Sequence, residues 1–90
     1  MNLSRHAETR MQQRGIPHLI IDWLAAYGKV DYQGGGSKLF YFNKKARRAI
    51  KRDFGSHAMR GYSKALNAYM ICNGDIIATV GHRYQRVVRH

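Results

Sequence analysis

Two short segments of this 90-residue chain gather the side chains that handle protons and phosphates. One is Arg5-His6 with Arg10 and Arg14, in which His6, Arg10 and Arg14 recur at the i, i+4 spacing of a helix face. The other is His82-Arg83-Tyr84 with Arg86, directly after a β-branched run. Histidine serves as base or acid near neutral pH, and arginine stabilises charge that develops on a phosphorus centre. Tyrosine donates a proton or stacks on a base. Metal-free RNA cleavage needs these parts: a base for the 2′-hydroxyl, an acid for the leaving 5′ oxygen, and cations around the phosphorus. The catalytic candidates are therefore His82, His6, Arg10 and Arg83. Each histidine also has a plain structural role open to it, His6 on a solvated helix row and His82 at the end of a strand.

The elements that would hold these groups can be read locally. Ser4 is a helix N-cap and Gly15 a helix stop, so residues 4–14 are expected to be helical, with Leu3, Ala7 and Met11 as a narrow apolar stripe. Pro17 opens a second helix over residues 17–27, whose apolar face includes Ile20, Trp23 and Leu24 and which Gly28 ends. Lys29–Gln33 and Lys38–Phe42 read as strands joined by Gly34-Gly35-Gly36. That triplet is followed by a strand and lacks a Lys-Ser/Thr pair, so a plain turn is preferred to a phosphate loop. Asn43 caps a third helix running to Phe54, with Gly55 as its stop. Residues 56–64 read as a loop or a helical turn. Leu66–Cys72 and Ile76–Gly81 form a second hairpin around Asn73-Gly74, and the tail from His82 could add an edge strand. The expectation is one α+β domain with two N-terminal helices, a small mostly antiparallel sheet of about four strands, and a further basic helix between the hairpins.

Charge narrows the partner. Sixteen Lys and Arg face five acids, for a net charge of +11, and arginine outnumbers lysine. Such density attracts phosphate backbones, and arginine forks onto them. The third helix carries Lys44, Lys45, Arg48, Lys51 and Arg52 along about 18 Å, several phosphate spacings of a backbone. With Arg14, Arg60, Tyr84 and Arg86 these are the candidate nucleic-acid contacts. The scattered acids do not suggest a metal-dependent nuclease, and the His and Cys residues lack zinc spacing. No metal or cofactor is expected. Cys72 stands alone, which suits a reducing cytoplasm, and no run is apolar enough to span a membrane.

The opening Ser4-Arg5-His6-Ala7-Glu8-Thr9-Arg10-Met11-Gln12-Gln13-Arg14-Gly15-Ile16 resembles the start of a group of small bacterial domains of unknown function. There a His, an Arg four residues on, and an Arg-Gly-Ile triplet open the domain. The run Asp75-Ile76-Ile77-Ala78-Thr79-Val80-Gly81-His82-Arg83 resembles that group's closing strand. These domains are similar to RelE/ParE-type toxins, small basic α+β proteins paired with acidic antitoxins. The resemblance covers the two ends of the chain, and the basic third helix looks like an insertion. It implies that His6, Arg10 and Arg14 fall on the opening motif and His82 and Arg83 on the closing strand. It further implies a metal-independent endoribonuclease toxin acting on RNA, with an acidic antitoxin as partner. A non-catalytic nucleic-acid-binding module and a toxin-like inhibitor of a protein target are the alternatives.

Overall fold

A computed structural model describes residues 2–83, and the fold follows the local signals closely. Ser4 separates strand β1 (Asn2–Leu3) from helix α1 (Arg5–Arg14). Its Oγ accepts from the Ala7 N–H at 3.0 Å, capping the helix, and donates to the Ala78 carbonyl at 3.1 Å. One hydroxyl thus joins the start of the chain to a strand 74 residues away. Gly15 ends α1, and Pro17 stands one position before helix α2 (His18–Tyr27) as its N-cap. Strands β2 (Lys29–Tyr32) and β3 (Ser37–Tyr41) form an antiparallel hairpin around the glycine triplet, which is the plain turn expected.

Helix α3 (Lys44–Gly61) begins where Asn43 Oδ1 accepts from the Ala46 N–H at 2.8 Å. It breaks at Gly55 (φ 90°, ψ 165°), where the sequence places a stop, but the chain then resumes helix to Gly61. A 3₁₀ turn (Ala65–Asn67) leads into strand β4 (Ala68–Asn73), so Leu66 belongs to the turn and not to the strand. Strand β5 (Ile76–His82) returns antiparallel. Asn73 pairs with Ile76, so Gly74-Asp75 form the loop, one residue later than Asn73-Gly74. Tyr84, Arg86 and the edge strand expected of the tail lie outside the described residues.

The sheet order is β1-β5-β4-β3-β2. The fold class is thus α+β, and the described residues form three α-helices and a five-stranded mixed sheet where about four strands were expected. The additional strand is β1, which pairs parallel to β5 through Asn2–Ile76 and Leu3–Ile77. Two residues are too few to display an alternation, so only pairing defines this strand.

The core lies between the helices and one face of the sheet. Phe40, Met70 and Val80 share a rung, and Cys72 stands opposite Ile77. Ala7 and Met11 of α1, Ile20 and Leu24 of α2, and Ala46 and Ile50 of α3 cover them. The register slips between Ile71 and Cys72, which pair with Thr79 and Ile77 and leave Ala78 as the extra residue of a bulge. Strict alternation from Val80 would have turned Ala78 and Ile76 inward. The bulge instead buries Ile77, 1% exposed, and leaves Ile76 at 42%. Fully burying such a side chain stabilises the fold by about 1.5–3 kcal/mol.

Gly55 adopts a backbone region that residues with a Cβ rarely enter, and among the described residues nothing beyond its own helix backbone and chain neighbours lies within 4 Å of where that Cβ would sit. The expected cost of Gly55→Ala is therefore backbone strain alone, about 1–3 kcal/mol in urea denaturation. A stability equal to wild type would show that the break is not required by the fold.

Candidate nucleic-acid interface

His82 is the last residue of β5 and pairs with Ala68, on the rung that continues the core face. Its ring therefore emerges at the end of the sheet on the helix side, beside the last turn of α1. There a cleft of about 640 Å³ opens, lined by Arg14, Arg60, Tyr62, Ser63, Lys64, Asn67 and His82. Four local devices bring these residues together. The Gly15–Pro17 corner turns the chain from the end of α1 to the start of α2, with Arg14 on the rim. The break at Gly55 redirects the chain so that the resumed helix delivers Arg60 to the cleft. Tyr62 is anchored edge-on against Trp23, with ring centroids 5.5 Å apart. The 3₁₀ turn is braced from both sides: Arg47 Nη2 donates to the Leu66 carbonyl at 2.9 Å, and the Arg83 N–H donates to the Asn67 carbonyl at 2.7 Å.

Arg14, Arg60 and Lys64 line the cleft, and among the described residues no carboxylate does. Burial, and then the positive charge of Arg14, push the His82 imidazole below its ordinary pKa. The shift favours the neutral ring, the form that accepts a proton. The native state favours the neutral ring, so its contribution to stability is complete above the ordinary value near 6.5 and is lost as pH falls through the lower native value. In a proton NMR titration His82 is expected to titrate below free histidine, and to rise when a phosphate oligonucleotide is added. A ring whose midpoint ignores the added phosphate would place the anion elsewhere.

Of the four catalytic candidates, His82 lines this cleft and the other three do not. His6 is exposed on α1. Arg10 is half-buried, and its Nε is enclosed without a hydrogen-bond partner among the described residues. Arg83 follows His82 and points to the opposite side of the sheet, its guanidinium 4.5 Å from the centroid of Tyr41. On that same side the Tyr69 ring lies over Gly81, where a Cβ would come within 2.9 Å of the Tyr69 hydroxyl. Glycine there lets the ring lie flat against the strand.

Of the expected contact residues, Arg14 and Arg60 join the cleft. Lys44, Lys45, Arg48, Lys51 and Arg52 are all exposed on α3, where their spacing makes one continuous stripe. Arg52 is partly engaged, its Nε 2.9 Å from Asp53, which also accepts from the Tyr27 hydroxyl at 2.6 Å. These two partners, Arg52 first, hold the Asp53 carboxyl below its usual range. Tyr62, Ser63, Lys64 and Asn67 were not among the contacts expected from the sequence. The signal it had was a cluster of donor side chains in a stretch without periodicity, where rigid scaffolds place functional groups.

A second hollow, of about 550 Å³, lies against the same Gly15–Pro17 corner and is lined by Glu8, Met11, Gln12, Ile16 and His18. Among the described residues it is lined by no Lys or Arg, and Glu8 would repel a phosphate, so the first cleft is the better fit for one. Among the described residues no group of three His, Cys, Asp or Glu side chains could hold a metal ion, and no helix is long and apolar enough to cross a membrane. Compared with known protein families, with curated proteins and with solved structures, the chain finds no match.

Proposed function

We propose that the protein is a metal-independent endoribonuclease of the RelE-like toxin type, acting on RNA in the cytoplasm. The observation that carries this reading is the placement of His82 in one cleft with Arg14, Arg60 and Lys64, and with no carboxylate among the described residues that line it. His82 takes the proton of a 2′-hydroxyl, and the resulting alkoxide attacks the adjacent phosphorus. Arg14, Arg60 and Lys64 stabilise the charge that builds on the phosphoryl oxygens. The 5′ oxygen leaves with a proton from Tyr62, the phenol that the same cleft supplies. The products are a 2′,3′-cyclic phosphate and a 5′-hydroxyl end, and none of these steps requires a metal. The α3 stripe docks the flanking backbone without reading bases. The motifs at the two ends of the chain support the toxin assignment, and a small acidic protein is the antitoxin such a cationic surface would pair with.

The experiment is incubation with RNA in EDTA, with the new ends mapped. Products ending in 2′,3′-cyclic phosphate are expected, and intact RNA, free or on ribosomes, would remove the enzyme reading. A non-catalytic RNA-binding module is the second reading. It is favoured by the placement of His6 and Arg10, which leaves His82 as the histidine of the cleft among the described residues. RNA that binds tightly and stays intact would establish it.

A further inference from the structure

We infer that the cleft between the end of α1, the resumed half of α3 and the end of β5 receives a terminal phosphate monoester of a nucleic-acid strand in preference to an internal diester. This rests on the nucleic-acid reading above but not on cleavage. The first argument is charge. An internal diester carries one negative charge, whereas a phosphate monoester carries about 1.5 to 2 at neutral pH. Arg14, Arg60 and Lys64 line the cleft with no carboxylate among the described lining residues, so their positive charge exceeds what one diester neutralises. The α3 stripe, by contrast, spreads its cations along a helix, one after another, as successive diesters require.

The second argument is convergence. The lining residues come from the end of α1, the start of α2, the 60–64 segment, the 3₁₀ turn and the end of β5. Donors from these separate elements converge on one point instead of following a line of successive phosphates. The third is the supply of neutral donors. A monoester presents three terminal oxygens, and beside the cations the cleft offers the Ser63 and Tyr62 hydroxyls and the Asn67 amide to meet them. A phosphate on the 5′ end and one on the 3′ end share this chemistry.

The test uses short 2′-O-methyl strands, which cannot be cut through a 2′-alkoxide, so the outcome is independent of catalysis. Three versions are compared by fluorescence anisotropy with the whole protein at physiological salt: 5′-phosphate, 3′-phosphate, and hydroxyl at both ends. At least one phosphorylated strand is expected to bind about tenfold tighter than the hydroxyl strand, which corresponds to about 1.4 kcal/mol. Which end wins identifies the source, and equal gains place recognition in the monoester itself. The double variant Arg60→Gln, Lys64→Gln should bring the ratio close to one. Both side chains are exposed, so the melting temperature should hold. Lys44→Ala with Arg48→Ala should weaken all three strands alike and leave the ratio unchanged. Equal affinity for all three strands overturns the inference while leaving nucleic-acid binding in place, and so does a ratio that survives the double variant. Strands that do not bind at all overturn both.

Discussion

His82→Ala is expected to lower the rate of RNA cleavage in EDTA by about 10²–10⁴, a barrier increase of roughly 3–5 kcal/mol. The residue lies on the last position of β5, opposite Ala68, so a rigid strand aims its ring at the cleft. Depression of its pKa by burial and by Arg14 favours the basic, neutral form near pH 7. The ring is only half-buried, and the backbone bond from the Arg83 N–H to Asn67 that closes this end of the sheet does not depend on it. The measurement is therefore paired, with cleavage rate and melting temperature taken on the same preparations. His82→Gln, which keeps a hydrogen-bonding side chain of similar reach, serves as the second variant. A rate lost in both variants at nearly constant melting temperature assigns proton transfer to His82. A rate that falls only as far as the fold weakens makes the residue structural, and an unchanged rate returns the proton-transfer question to His6.

The second large effect is ionic. The cleft cations and the α3 stripe together offer about six phosphate contacts, and each contributes a slope of about −0.7 in log affinity against log salt on single strands. The summed slope is about −4, so a fourfold rise in salt should weaken RNA binding by roughly 300-fold. Lys44→Ala, Arg48→Ala and Lys51→Ala together should reduce that slope to about −2, to the same degree on every sequence, because the stripe meets the backbone. These side chains are exposed and contribute little to the core. A wild-type affinity flat across that salt range would count decisively against a phosphate-bound partner. Loss confined to one sequence would mean that α3 reads bases.

Much of this protein was legible without its fold because the controlling interactions are local. Ser4 and Asn43 cap helices with their own side chains, and Gly15 and Gly55 mark real interruptions. The two hairpins follow from turn residues flanked by alternating strands. Net charge is a property of composition, so the cationic character was set before any contact formed. One further fact was within reach: successive strand residues face opposite sides, so His82 and Arg83 could not serve one site from the strand itself.

Tertiary structure decided the rest. Periodicity tells which side of an element is apolar, but not which ends of different elements meet. The cleft draws on residue 14, residues 60–67 and residue 82, brought together by the packing of α1 against β5 and by the redirected chain after Gly55. The pairing of β1 with β5, fastened by Ser4 to Ala78, has no local signature in a strand of two residues. The bulge at Ala78 is likewise invisible in a run of β-branched residues, yet it chooses Ile77 over Ile76 for the core. Residue types thus settled what chemistry this chain has to offer, and long-range register settled that His82 shares a cleft with Arg14, Arg60 and Lys64 while His6, Arg10 and Arg83 do not line it.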